Sequence, residues 1–286
     1  MKPVLVFGHG FIGAAFADLC RARGYSLAAT ARSADKRAAL TAQGIRAVDP
    51  AGTDLSDLAR AADMILVTPA PDDKGCPAFA AVGSALIDAP RKWIGYLSTT
   101  GVYGDRGGGW AFEDQAPTPL STEGRRRVLA ESQWQSLTPH HDVAVFRLPG
   151  LYGVGRSVIE RLRDGTARRI HKPGQVFSRL YDTDCADALM RSAERRRAGA
   201  VYNLCDDEPA PADDVMVWAA QTFGFDTPPE ILFDAPDLSP GMRRFYAENK
   251  RVSNALAKAE LGWRPQFPTY REGLQVVWAA LRAETV

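Results

Sequence analysis

The sequence predicts an α/β fold, a doubly wound parallel sheet with helices on both faces and a smaller α+β lobe attached. Three observations carry this. Short apolar, β-branched runs alternate with helix-length stretches from residue 4 to about residue 150. The first run passes into the first helix through Gly8-His9-Gly10-Phe11-Ile12-Gly13. After Gly150 the rhythm breaks, and from Asp206 onward prolines gather at 209, 211, 228, 229, 236 and 240. Strands alternating with helices need crossover connections, which make the strands parallel and cover both faces of the sheet.

The elements follow in order. Residues 4–7 form a short apolar run ended by Gly8, the pattern of a buried strand. Helical spacing over 12–23 sets Phe16 and Leu19 on one side, and Gly24 stops it. Residues 26–31 read as a second strand and 35–43 as a second helix, ended by Gly44. A third strand spans 45–48 and a third helix 55–62. The fourth strand, 64–67, is stopped by Pro69 and Pro71. Residues 79–87 are helical, 93–97 a fifth strand, 125–137 a helix and 143–148 a sixth strand. Beyond these, 151–178 is rich in Gly and Arg, with one helix near 158–163. A helix over 184–195 and a short strand over 200–204 restore the first pattern. The remainder reads as loops and short helices, with amphipathic helices over 256–261 and 270–281. The expected division is therefore a Rossmann-like domain of residues 1–152 and 179–205, and a substrate-binding lobe of residues 153–178 and 206–286.

Composition excludes several classes of function. Lys plus Arg number 35 and Asp plus Glu 34, a net charge of +1 that gives no global attraction to nucleic acid or acidic membrane. The arginine runs at 125–127 and 195–197 lack aromatic interleaving, so nucleic acid is not the expected partner. Residues 3–17 are shorter than the about 20 needed for a membrane span. They carry three regularly placed glycines and His9, with no clean cleavage site, unlike a signal-peptide core. The four cysteines form no C-x-x-C pair, and His140-His141 has no partnered ligand motif, so no metal site is expected. A reducing cytoplasm suits that cysteine usage.

The glycine-rich turn points to a dinucleotide. Gly8 permits the tight turn, Gly10 lets a pyrophosphate approach the backbone, and Gly13 lets helix and strand pack closely. The helix start at Phe11 and Ile12 offers N–H groups and a positive dipole end to phosphate. An Asp or Glu about 20 residues on would accept from a ribose 2′-OH. Here the second strand ends in Thr30-Ala31-Arg32-Ser33 instead. Arg32 pairs with a 2′-phosphate and Ser33 donates to it, with Arg37 as a second partner, so NADP is expected over NAD, which stays the alternative. Thr68, Pro69 and Ala70 end the fourth strand and are expected to flank the adenosine and ribose.

Further motifs recur in order: Ser98-Thr99-Thr100-Gly101-Val102-Tyr103-Gly104, Arg147-Leu148-Pro149-Gly150-Leu151-Tyr152-Gly153, Ser178-Arg179 before Asp182-Thr183-Asp184, Val201-Tyr202-Asn203 and Leu261-Gly262-Trp263-Arg264-Pro265. With the glycine turn, this set resembles the extended short-chain dehydrogenase/reductase superfamily in its NAD-dependent epimerase/dehydratase branch, over nearly the whole chain. The resemblance implies that Thr99 hydrogen-bonds the reacting oxygen, with Ser98 and Thr100 as neighbours. It implies that Ser98 and Pro149 face the cofactor, and that Thr100, Tyr152 and Arg179 face the substrate, Arg179 on an anionic group. Members commonly dimerise through helices of the Rossmann lobe, which leaves a homodimer open.

The chain departs from that family where a Tyr and a Lys four residues apart are expected. Glu123 stands at the Tyr position and Arg127 at the Lys position. Positions i and i+4 share a helix face. Arg127 still donates to ribose hydroxyls. Glu123, whose ordinary pKa of about 4.3 lies far below that of tyrosine, accepts protons better than it gives them. Tyr103, in the same loop as Thr99, is the other expected proton carrier. The expected function is an NADP-dependent oxidoreductase or epimerase/dehydratase-like enzyme acting on a small polar, anionic hydroxyl or carbonyl compound. The rival expectations are an NADP(H)-binding sensor or scaffold without turnover, and a non-redox isomerase or lyase using Glu123 as base.

Overall fold

A computed structural model describes residues 2–236 and 238–283. Its centre is a seven-stranded, wholly parallel sheet. We number these strands β1 (Pro3–Phe7), β2 (Ser26–Thr30), β3 (Arg46–Val48), β4 (Met64–Val67), β5 (Trp93–Thr99), β6 (Asp142–Leu148) and β7 (Ala200–Asn203). Their spatial order is β7-β6-β5-β4-β1-β2-β3. The chain therefore starts in the middle, winds outward one way and returns to wind the other way. The helices are α1 (Phe11–Ala22), α2 (Ala34–Ala42), α3 (Ser56–Ala61), α4 (Pro77–Ile87), α5 (Thr122–Gln135), α6 (Val158–Arg163), α7 (Asp182–Arg195), α8 (Ala212–Phe223), α9 (Pro240–Phe245), α10 (Ala255–Leu261) and α11 (Tyr270–Ala283).

The continuous apolar runs follow from double coverage. Successive side chains of a strand point to opposite faces, and both faces here are buried. Val4 and Val6 join one core with Phe16, Trp93, Phe146 and Tyr202, under α1 and α7. Leu5 and Phe7 join the other with Tyr96, Val82 and Trp134, under α3, α4 and α5. Trp93, Trp134 and Tyr96 are wholly buried, and each such side chain contributes about 1.5–3 kcal/mol of burial free energy.

A third core gathers Tyr152 with Ile159, Met216, Tyr270 and Val277 of α6, α8 and α11, away from the sheet. Two expectations are corrected here. The proline-rich segment holds a regular twelve-residue helix, α8, entered directly after Pro211, where a missing N–H costs nothing. Moreover, α10 and Trp263, expected in the second lobe, pack into the α1/α7 face of the sheet through Ala257 and Leu261. The Trp263 indole N–H donates to the Asp184 carbonyl at 3.2 Å. An apolar stripe and an indole seek the nearest uncovered apolar surface, which sequence order does not reveal. Short strand pairs outside the sheet, such as Gly150–Tyr152 with Arg179–Tyr181, were invisible because two or three residues carry no period. Among the described residues, no helix is long and apolar enough to cross a membrane.

Candidate functional site

The site opens at the carboxyl ends of β1, β4, β5 and β6, where a doubly wound sheet leaves a crevice between oppositely winding halves. The turn between β1 and α1 builds its floor. Gly8 has φ +81°, and a Cβ there would meet Thr68 Oγ1 at 2.5 Å. Its N–H donates to Thr30 Oγ1 at 2.8 Å. A Cβ on Gly13 would meet the Gly8 carbonyl oxygen at 2.4 Å, so this helix start packs directly on the turn. A Cβ on Gly10 would meet nothing within 4 Å. That open side, beside a helix with no side-chain cap, leaves the N–H groups of Phe11, Ile12 and Gly13 without an acceptor among the described residues. Such a terminus attracts phosphate. This is the fit expected for the diphosphate of a dinucleotide.

A cavity of about 310 Å³ lies over the turn. Gly10, Phe11, Ile12, Gly13, Thr68, Ser98, Thr99, Arg127 and Pro149, all singled out from sequence, line it together. A larger cavity of about 790 Å³ adjoins it and takes in Thr99, Thr100, Tyr152 and Arg179. Four residues, Thr99, Pro149, Leu151 and Arg156, line both cavities. Thr99 and Arg156 are the polar side chains at that junction. Thr99 Oγ1 accepts from the Gly101 N–H at 3.1 Å, which leaves its own proton to donate. Arg156, exposed, lies over the Phe11 ring at 5.4 Å.

The remaining predicted residues, Thr68 excepted, line neither cavity. Gly8 shapes the turn from below. Thr68, at the cavity edge, gives its hydroxyl to the carbonyls of Phe7 and Gly8 at 2.9 and 2.7 Å, with Pro69 and Ala70 beyond it. Arg32 is exposed at the end of β2, with no side-chain partner among the described residues. The Ser33 hydroxyl accepts from Lys36 N–H as the α2 N-cap. Arg37 is not free for a 2′-phosphate: it donates to the carbonyls of Ala31 and Arg32 and pairs with Asp49 at 3.0 Å.

The two expected proton carriers meet physical obstacles. Glu123 is exposed in the first turn of α5, lines neither cavity and forms no ion pair with Arg127. Arg127 instead donates inward to the Leu97 carbonyl at 2.5 Å and to the Tyr96 hydroxyl at 3.3 Å. Consecutive helix residues diverge, and the arginine run shows it: Arg126 pairs with Asp73 at 2.7 Å while Arg125 caps the preceding loop. Tyr103 is wholly buried and lines neither cavity. Its hydroxyl donates to Asn203 Oδ1 at 2.8 Å and accepts from Arg147 at 3.0 Å. Burial pushes its pKa up, against the pull of Arg147.

Sequence reasoning missed what lies beneath the site. Glu131 of α5, 4% exposed, accepts from Arg147 of β6, 5% exposed, at 3.2 and 2.8 Å. Glu131 also accepts from the Ser98 hydroxyl at 2.5 Å. Ser98, Glu131, Arg147, Tyr103 and Asn203 thus form one buried polar chain across β5, α5, β6 and β7. The signal was an arginine inside an apolar strand, and Glu131 one helical turn from Arg127. Arg156 belongs to none of the motifs singled out, yet it stands at the junction.

The chain is 42% identical to a conserved protein of unknown function from Silicibacter pomeroyi, over 98% of this chain and 99% of that one, with a TM-score of 0.92. MoeE5, solved with UDP-glucose and NAD, is 21% identical with full coverage of both chains and a TM-score of 0.83. The UDP-glucuronic acid 4-epimerase of Bacillus cereus, solved with NAD, is 18% identical over 99% of each chain, with a TM-score of 0.77. These two likenesses show a shared Rossmann-like α/β fold. The chain belongs to one family with the Silicibacter pomeroyi protein. A 3-diazoavenalumate denitrifying reductase from a Streptomyces species is 31% identical over 163 residues, so the match spans about half of that relative, 51%. No protein-family model matches the chain.

Proposed function

We propose that the chain is an NADP-dependent oxidoreductase or epimerase-like enzyme acting on a small, polar, anionic hydroxyl or carbonyl compound. One observation carries the reading: a cavity over an uncapped, glycine-opened helix start meets a larger, cation-lined cavity at the Thr99 hydroxyl. When bound, a nicotinamide dinucleotide supplies hydride transfer. The N–H groups of Phe11, Ile12 and Gly13 would hold its diphosphate, Arg32 a 2′-phosphate, and the free donors of Arg127 a ribose. In support, MoeE5, which shares this fold, was solved with UDP-glucose and NAD, the Bacillus cereus epimerase with NAD, and the Streptomyces relative is a reductase.

Thr99 donates its free proton to the reacting oxygen and so orients the substrate. Arg156 supplies positive charge at the same point. Glu123 is left out because it lies outside both cavities, and Tyr103 because its hydroxyl is fully engaged. The proton that the oxygen exchanges passes through the Thr99 hydroxyl to water in the cleft.

Titrating the protein with NADPH and NADH while following nucleotide fluorescence tests the reading. NADPH should bind at least tenfold more tightly, and Arg32→Asp should reverse the order, since a carboxylate repels a 2′-phosphate and accepts from a 2′-hydroxyl. Tighter NADH binding by the unaltered protein would overturn the NADP assignment. Binding of neither nucleotide would overturn the enzyme class.

A further inference from the structure

The larger cavity carries more information than its volume. Among its lining residues are six cations, Arg156, Arg161, Arg168, Arg179, Arg244 and Lys250, against two carboxylates, Glu160 and Glu248. Both carboxylates are engaged. Glu160 accepts from the Gly155 N–H at 2.7 Å and from the Ser157 hydroxyl, and Glu248 pairs with Lys250 at 2.7 Å. Arg179 is likewise spent, on the carbonyls of Phe177 and Ala210 at 2.9 and 3.0 Å. Arg161, Arg168 and Arg244 differ. All three are exposed, and none has a hydrogen-bond or ion-pair partner through its guanidinium among the described residues. Among the described residues, no Asn, Gln, Asp or His side chain lines the cavity.

The same wall is aromatic. Phe245 stacks on Phe177 with centroids 4.9 Å apart and planes 16° apart, while 61% of Phe245 remains exposed. Tyr246 meets Phe177 edge-on at 5.1 Å. Met216 and Met242 add polarisable thioethers that adapt to flat ligands. An exposed ring already stacked on one side offers its surface to a third ring.

A sugar needs acceptors as well as donors, because its hydroxyls must be answered when buried. This wall has unspent cations, ring faces and sulfurs, with no carboxylate or amide to spare. We propose that the larger cavity binds an aryl carboxylate, its carboxylate taken by the Arg161, Arg168 and Arg244 group and its ring by the Phe177–Phe245–Tyr246 cluster. Planar guanidinium forks suit a carboxylate bidentately. The proposal rests on the reading of this cavity as the substrate cleft, and it departs from the sugar nucleotides seen in proteins of the same fold.

Calorimetric titration of the full chain with trans-cinnamate, cinnamyl alcohol and UDP-glucose, with and without NADP, tests it. Cinnamate should bind at least tenfold more tightly than either other probe. Replacing the three arginines together, Arg161→Gln, Arg168→Gln and Arg244→Gln, should weaken cinnamate at least tenfold with an unchanged melting temperature, since all three are exposed. Phe245→Ala should weaken cinnamate while leaving NADPH affinity alone. UDP-glucose binding as tightly as cinnamate, or cinnamate affinity indifferent to the triple replacement, would overturn the proposal. NADPH titration of the same samples separates the two readings. NADPH binding by the unaltered protein without cinnamate binding refutes the aryl-acid assignment alone, whereas cinnamate binding by the unaltered protein without NADPH binding supports it and refutes the enzyme class.

Discussion

Three glycines of one turn do three different things, and substitution separates them. Gly10 borders open space, so Gly10→Val adds bulk where phosphate must approach without touching the fold. Dinucleotide affinity should fall at least tenfold while the melting temperature stays within about a degree. Gly13 has the Gly8 carbonyl oxygen 2.4 Å from where a Cβ would sit. Gly13→Ala should therefore cost about 1–3 kcal/mol by overpacking, seen as a melting temperature lower by several degrees. Equal thermal effects at the two positions would contradict this division of labour. At Thr99 the same logic reaches the reaction. Thr99→Val keeps the shape and removes the donor, and loss of such a donor typically costs about 10²-fold in turnover. Glu123→Gln should leave turnover within twofold, because the exposed carboxylate touches neither cavity; a large loss there would restore it as the base.

At the scale of elements, the buried Glu131–Arg147 pair ties α5 to β6, and through Ser98 and Tyr103 to the end of β5 and its following turn. Two buried charges are costly to desolvate and are repaid only by one another and by their hydrogen bonds. Removing one partner strands the other. Glu131→Ala should thus cost about 3–5 kcal/mol, more than the joint replacement Glu131→Leu with Arg147→Met. Unfolding in urea measures both, and a joint variant less stable than Glu131→Ala would show that the pair stabilises the fold outright. This network also shows where the sequence was mute. The alternation of strands and helices is local, and so was readable through residue 150. The glycine turn was readable because its three roles are set by backbone geometry. The partners of Arg127, Arg147 and Tyr103 were not, because they come from β5, α5 and β7, brought together only by the crossovers. The Tyr/Lys position showed that Glu123 and Arg127 replace the expected pair. It did not show that they turn to different sides.

For the whole molecule, the seam between the sheet and the segments that follow it holds an ionisable group with a global consequence. Asp206, three residues beyond β7, is 2% exposed, and neither carboxyl oxygen has a hydrogen-bond partner among the described residues. Burial pushes its pKa up to about 8, against the opposing pull of Arg179. Around it the chain is stitched to distant segments: Asp206 N–H donates to the Arg179 carbonyl at 2.7 Å, and Asp207 N–H to the Pro268 carbonyl at 2.8 Å. Below about pH 4 the carboxyl is protonated in both folded and unfolded chains, and the fold keeps the full benefit of a neutral Asp206. Between about pH 4 and pH 8 only the unfolded chain releases the proton, so stability falls as pH rises. Above about pH 8 the folded carboxyl ionises too, and the loss is complete. Asp206→Asn removes the titration while keeping the shape. Melting temperatures followed from pH 5 to pH 9 should therefore drop further in the unaltered protein than in the variant, with the two profiles separating by several degrees toward the alkaline end. Parallel profiles would mean that Arg179 already holds Asp206 ionised across that range, making the seam an ion pair instead of a buried acid.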